Sequence, residues 1–205
     1  MTRPEWHTPK GQRRREQLLH AAMTVIGQRG YAGATQRAIA TEAGVPPAST
    51  HYFFDSVDEL ARAAATQYLE ERLALYEDRI AAFASSDLSP ADGCREVAAL
   101  LHTVSDEART AQFEIYLNAQ RQSELQDTVL DAITRLEALC ARLLAAMDVP
   151  QPEVWAKAFL AVGDGFALHA VAGAPGDVDA LEQALLAVVL AGRAAGEAAA
   201  PARRS

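Results

Sequence analysis

TQRAIATEAGVPPASTHYFFDSVDEL, running from Thr35 to Leu60, reads as a short helix, a glycine turn, a second short helix ending in aromatics, and the start of a third. Thr35 suits an N-cap, because its hydroxyl can accept from an otherwise orphaned amide of the first turn. Ile39, Ala40 and Ala43 repeat at helical spacing. Gly44 supplies the left-handed turn position that a β-carbon would penalise. Val45 can plug the angle between the two helices. Pro46 and Pro47 have no amide to lose where the next helix begins. A brace helix, a tight turn and a second slender helix are the parts of a helix-turn-helix DNA reader. Phe53 and Phe54, at its end, read as core plugs.

Working outward, the stretch from about Leu18 to Leu60 resembles the N-terminal domain of a TetR-family transcriptional regulator. The residues that carry the resemblance are Ala21-Ala22, Val25-Ile26, Gly30, Thr35, Ile39-Ala40, Ala43-Gly44-Val45, the aromatics Tyr52 to Phe54, Ser56 and Leu60. The chain departs from the family pattern at Pro46, His51 and Val57, where a capping Ser, a Tyr and a phosphate-touching Lys are usual. Further on, VGDGFALHAV, Val162 to Val171, is similar to an Asp-Gly-hydrophobic motif of the family's penultimate helix. The resemblance implies an all-α fold, a DNA operator as partner and a variable helical domain that takes a small molecule.

Composition agrees. The chain has 205 residues, half of them hydrophobic, with only 12 glycines and no alternating β-branched runs. About nine helices are expected. Met1 to Arg15 is polar and basic, unlike a signal peptide. The most apolar helix carries Lys157, Asp164 and His169, which argues against a membrane span. The net charge of −8 hides a segregation: residues 1–56 hold seven basic against four acidic groups, the remainder twelve against twenty-three. Arg13, Arg14 and Arg15 open the first helix, with Arg3 and Lys10 before them. Because phosphate attraction is screened within about 10 Å at 0.1 M salt, the local excess matters more than the total. Arg3 and Lys10 alone read as a solvated basic tail.

The expected organisation is a helix-turn-helix domain over 1–56, a helical effector-binding and dimerisation domain over 57–195, and a disordered tail over 196–205, which lacks an apolar face. A helix from Val57 to about Ala84, with Leu69, Leu73, Tyr76, Ile80 and Phe83 at 4-3-4-3 spacing, would reach about 42 Å as a lever between the domains. No catalytic constellation is visible. The five histidines lack metal-ligand spacing, the Gly163–Gly165 GDG lies in an apolar helix and suits close packing, and Cys94 and Cys140 read as reduced structural thiols. Neither an enzyme, a cofactor nor a metal is expected.

Carried over by the resemblance, Pro47, Ala48, Ser49 and Thr50 are the candidates for base edges, and the Ser and Thr hydroxyls can donate or accept. Thr35, Gln36 and Arg37 sit where phosphate is favoured, and Arg37 can fork onto guanine or phosphate. His51 and Tyr52 reach for the backbone, Tyr52 equally well for the core. In the C-terminal part, Phe113, Tyr116 and Leu117 lie at i, i+3, i+4, and Trp155, Phe159, Phe166 and His169 trace one face of a later helix. Such stripes are usually core. The resemblance makes them candidate walls of an effector pocket, with Glu114, Arg121 and His169 as polar orienters of a small, mostly apolar ligand. Leu181, Leu185, Val188 and Val189, with the small Gly163, Ala167 and Ala170, are the expected interface of a homodimer built as a four-helix bundle. Two-fold symmetry would set the reading helices about 34–36 Å apart on a pseudo-palindrome.

These expectations describe a cytoplasmic DNA-binding regulator, a repressor released by its effector. A helical interaction protein with a vestigial helix-turn-helix is the alternative, supported by the lost cap at Pro46 and the lost Lys at Val57.

Overall fold

A computed structural model of the chain describes residues 8–84 and 89–199. Within them lie nine α-helices and no strand: α1 (Pro9–Arg29), α2 (Gln36–Glu42), α3 (Pro47–Phe53), α4 (Val57–Ala84), α5 (Pro90–His102), α6 (Asp106–Ala119), α7 (Ser123–Ala146), α8 (Pro152–Val171) and α9 (Val178–Ala199). A 3-10 turn, Tyr31–Gly33, joins α1 to α2. The chain is all-α, as its composition implies.

Packing gathers the chain into two units, one of residues 8–71 and 106–130, the other of 72–105 and 131–199. The division therefore falls inside α4 and not at residue 56. Helix α6 and the first turns of α7 join the reading head. The physical reason lies in α1, which buries Leu18, Leu19, Ala21, Ala22, Val25 and Ile26. That apolar face is too broad for the seven-residue helices α2 and α3 to cover. Helix α6 covers much of the rest, burying Ala111, Ile115 and Ala119. A Cβ on Gly27 of α1 would collide with the Glu107 carbonyl of α6, so the two helices cross as closely as a bare Cα allows.

Local chemistry sets the elements of this unit. Thr8 accepts from the Gly11 amide at 3.1 Å, and Pro9 opens α1 without an amide to strand. Thr35 accepts from the Ala38 amide at 3.1 Å. Gly44 has φ +64°, and the Val45 amide returns to the Ala40 carbonyl at 3.0 Å, closing the turn as the motif requires. Pro46 offers α3 no side-chain cap, yet the helix forms with Pro47 in its first turn and a Ser49 N–H to Pro46 carbonyl bond of 2.8 Å. At the start of α4, Ser56 accepts from the Glu59 amide and the Glu59 carboxylate accepts from the Asp55 amide. Phe53 and Phe54 are buried, the core plugs the sequence suggests.

In the second unit, Ser89 and Asp92 form a capping box that starts α5. The core joins Cys94 and Ala98 of α5, Leu143 and Leu144 of α7, Ala156 and Phe159 of α8, and Leu181, Leu185 and Val189 of α9, with Ile80 and Phe83 of α4 packed against it. Helix α9 runs to Ala199, so Gly196–Ala199 is helix and not the expected disordered tail. Small residues explain the extension. A Cβ on Gly196 would collide with Pro150, and one on Gly192 would crowd Val149 and Trp155, so bare glycines let this face of α9 lie on the α7–α8 connection. Residues 200–205, like Arg3, lie outside the described residues.

Gly27→Ala should lower stability by about 1–3 kcal/mol through overpacking, although alanine is the better helix former by about 1 kcal/mol. Urea midpoints of the two proteins would measure it; an unchanged or raised midpoint would mean that the α1–α6 crossing is not tight.

Candidate nucleic-acid interface and its bracing

The face of α3 that the structure leaves open carries Pro47, Ala48 and His51, all exposed, with Tyr52 half-buried beside them. Ser49 and Thr50 are not on that face. Thr50 is 0 % exposed, and its hydroxyl donates to the Pro47 carbonyl at 2.7 Å; Ser49 is 9 % exposed. Both were expected to read base edges, and neither presents its hydroxyl outward. Helical geometry is the cause, since positions 49 and 50 lie four and three residues before the core plug Phe53 and must share its side. That spacing was visible in the sequence. Thr35 and Arg37 are exposed at the N-terminal end of α2, and Gln36 is half-buried next to them. Thr35 uses its oxygen as the cap acceptor, which leaves its O–H free to donate. Arg15 lies over the Phe54 ring, 5.5 Å from its centre, and ties α1 to the end of α3.

Behind this face stands an arrangement that sequence reasoning missed. The Glu114 carboxylate of α6 accepts from the Tyr31 backbone amide at 2.8 Å, capping the 3-10 turn that follows Gly30. The other end of Tyr31 is held too: its hydroxyl donates to Gln122 at 3.1 Å and lies 3.4 Å from Asp58 of α4. Burial pushes the Tyr31 phenol above its usual range, and the negative charge of Asp58 nearby adds to the rise. Arg62 of α4 pairs with Glu124 of α7, and the Tyr68 hydroxyl reaches the Ala108 carbonyl at 3.4 Å. Glu114 thus caps the turn at Tyr31, a structural role beside the ligand-orienting one expected of it. Nothing in the sequence links residues 31 and 114.

The other effector candidates divide between the units. In the first, Phe113 and Tyr116 meet edge to face at 6.1 Å, both half-buried, while Leu117 and Arg121 are exposed and wall nothing in. In the second, Phe159 is core and Trp155 and Phe166 pack against the same core, as stripes of this kind usually do. His169 is exposed.

The dimer candidates also need correction. Leu181, Leu185 and Val189 are buried inside the second unit's own core, and Val188 packs against it. Gly163 faces Leu101 of α5, 3.3 Å from where a Cβ would be. Ala167 and Ala170 are half-buried. What α8 and α9 leave open is a different stripe. Val154, Ala158, Ala161, Gly165, Leu168 and Ala172 follow one another at 4-3-4-3-4 spacing, with Val154 66 % and Leu168 50 % exposed. On α9 the matching row is Ala187, Leu190, Ala191 and Ala194, with Leu190 55 % exposed. By length and a mean hydropathy of 1.2, α8 meets the criterion for a membrane span. It also carries Lys157, which lies 3.9 Å from Glu137, and Asp164.

Asp164 has no ion pair or hydrogen bond among the described residues, and burial pushes its carboxyl above the usual range. Cys94 and Cys140 are free thiols, both raised by burial to about 12. Raised thiols of this kind are poor nucleophiles, in keeping with structural roles.

Residues 18–64 match the family described as "Bacterial regulatory proteins, tetR family", and residues 86–192 match "Tetracyclin repressor-like, C-terminal domain". The chain is 31 % identical over 171 residues to the nicotine-responsive transcriptional repressor HdnoR of Paenarthrobacter nicotinovorans, covering 76 % of this chain and 82 % of that one. In structure it is similar to a TetR-family regulator from Mesorhizobium loti, with a TM-score of 0.76 at 18 % identity over 92 % of this chain and 98 % of the other. It is also similar to the multidrug binding protein EbrR in complex with ethidium, with a TM-score of 0.64 at 31 % identity over 89 % and 99 % of the two chains. The chain belongs to the TetR family and is a DNA-binding transcriptional regulator. Similarity to repressors along most of its length goes against a vestigial helix-turn-helix.

The unpaired Asp164 gives a pH-dependent expectation. A carboxyl that holds its proton more tightly when folded contributes stability below its unfolded value, and that contribution is lost as pH rises through the folded value. Asp164→Asn should therefore raise the Tm at pH 7. The gain should vanish below the ordinary value of 3.8. Melting curves at several pH values would show it; an equal gain at every pH would rule out the carboxylate as its source.

Proposed function

We propose that the protein is a cytoplasmic repressor that binds a pseudo-palindromic operator as a homodimer and leaves it when a small, mostly apolar molecule binds the helical domain. The observation that supports this most directly is the open α3 face of Pro47, Ala48 and His51, beside an exposed Arg37 and backed by the Glu114 clamp. Apolar Ala48 and Pro47 suit thymine methyls, Arg37 suits guanine or phosphate, and Thr35, His51 and Tyr52 suit the backbone. Regulation is a population shift: a ligand preferring the form in which α6 has moved would pull Glu114 from the Tyr31 amide and change the seating of α1 and the reading helices.

Effector chemistry is suggested by the relatives, one responsive to nicotine and another seen with ethidium. Both are nitrogenous aromatics. Within the second unit, Trp155 and Phe166 offer aromatic surface. Asp164, without a cation partner, offers a counter-charge to a ligand that carries positive charge.

Dimerisation follows from the open stripes on α8 and α9. Their small residues permit close backbones, and Leu168, Leu190 and Val154 would be the knobs of a symmetric bundle. Leu168→Glu with Leu190→Glu should give folded monomers with little operator affinity, whereas Leu185→Glu should unfold the domain because that side chain is already interior. Light scattering and circular dichroism on both variants test the assignment. A monomeric parent protein at micromolar concentration would end it.

For the operator, selection from random duplexes should return inverted half-sites about one helical turn apart. Arg37→Ala should cost about 1–3 kcal/mol in affinity if it reads a base. Thr50→Ala should lower stability by about 1 kcal/mol through the lost hydroxyl bond and leave sequence preference unchanged. A change of preference in Thr50→Ala with Arg37→Ala inert would overturn the reading face as drawn.

A further inference from the structure

Asp164 stands beside the middle of the open stripe on α8. It precedes Gly165, where an added Cβ would meet nothing within 4 Å. Ala161 and Leu168 of the same stripe lie three residues before it and four after it, so both are its neighbours on the helix surface. The half-buried carboxyl therefore flanks the face that runs from Val154 to Ala172. On its other side lies α7, where the Asp164 and Glu137 charges both bear on the Cys140 thiol and oppose its ionisation.

No described residue of the second unit bonds to that carboxyl. Glu137 is itself acidic and lies 3.9 Å from Lys157, the single Lys or Arg of α8. His169, further along α8, is exposed. From the other helices packed on α8, Arg95 of α5 and Glu182 of α9 pair with each other at 3.3 Å, and His102 of α5 lies against Gly176. Neither these nor Arg193 of α9 bonds to Asp164 among the described residues. Burial without a partner already makes the carboxyl hold its proton more tightly in the single chain. A second copy seated on the stripe would cover its remaining flank and bring a second Asp164. A two-fold axis through the middle of the stripe sets the two carboxyls on either side of Gly165, where bare backbones can approach most closely. Two carboxylates in one water-poor seam repel, and the pair lowers its energy by taking up a proton.

We infer that the Asp164 carboxyls of two copies meet in the α8 seam, so that formation of the homodimer takes up a proton and assembly responds to pH. The sign follows from linkage. A carboxyl that binds its proton more tightly in the dimer than in the single chain stabilises the dimer at low pH. That contribution is lost as pH rises through the value the carboxyl has in the dimer. Acidification thus favours the two-headed form, and alkaline pH favours single chains. The inference rests on the homodimer reading and on no property of the effector.

Sedimentation of the full chain at several concentrations, from about pH 5 to about pH 8, measures the dimer constant across the range in which a raised carboxyl titrates. The proteins compared are the parent, Asp164→Asn, Asp164→Ser and Leu168→Glu, with circular dichroism to confirm folding at each pH. The parent should dimerise progressively more weakly as pH rises. Asp164→Asn keeps the shape without the charge, and should be about tenfold tighter than the parent at the alkaline end and nearly independent of pH. Asp164→Ser, smaller and also uncharged, should lose the pH dependence in the same way. Leu168→Glu should be monomeric throughout, which ties the measured constant to this face; a Leu168→Glu dimer as tight as the parent's puts the interface elsewhere and overturns the inference. An Asp164→Asn dimer that titrates like the parent, or is no tighter at alkaline pH, overturns it while the homodimer stands, and is what a carboxyl reserved for a cationic effector would give. An Asp164→Asn dimer weaker than the parent's overturns it as well, because Asp164 would then be paired with a cation across the seam. If the parent and every variant are monomers at every pH, the homodimer reading itself fails and the inference falls with it.

Discussion

The close crossing of α1 and α6 is the constraint on which the reading head depends. Two seven-residue helices and a glycine turn cannot cover the apolar face of a 21-residue α1. Helix α6, distant in sequence, supplies part of the missing cover and meets α1 where Gly27 has no side chain. Once the helices touch there, Glu114 falls on the Tyr31 amide and Gln122 on the Tyr31 hydroxyl. Tyr31 is held at both ends, and with it the turn that leads into α2. The DNA-reading surface is therefore part of the same packed body as α6.

This arrangement gives the effector-driven regulation we propose a physical route. A clamp of one charge-assisted bond and two weaker polar contacts is strong enough to hold a short turn and weak enough to be released by a ligand of ordinary affinity. It needs no continuous chain of moving side chains, only two seatings of α6 with different affinities for the effector. The same economy applies to the open stripe of α8 and α9. Its small residues contribute little to the fold of one chain and its leucines are left in water, which is what supports the association we propose there.

Local chemistry made much of the molecule legible in advance. Thr35, Gly44, the Pro46-Pro47 pair and the Phe53-Phe54 plugs each answer a demand of backbone geometry or burial within a few residues, and each is found in that role. The helix count and the family were readable for the same reason. Errors arose where a face had to be assigned. Leu181, Leu185 and Val189 were rightly read as one apolar row on α9, but a row of large side chains is first claimed by the chain's own core. The open row is the modest one of alanines around Leu190. Ser49 and Thr50 fell to the same cause, turned inward by Phe53.

What the sequence by itself determined is therefore the set of helices, the turn between α2 and α3, and the membership of the TetR family, because these follow from capping, φ and periodicity over short spans. Tertiary structure decided which face of each helix is spent on the core, that Glu114 caps the Tyr31 turn, that Asp164 has no ion pair or hydrogen bond among the described residues, and that α9 continues past Gly196 against Pro150. Periodicity states that a helix has an apolar face. Which neighbour covers that face depends on contacts between residues far apart in the chain, such as Gly27 with Glu107 and Gly196 with Pro150, and no local rule carries that information.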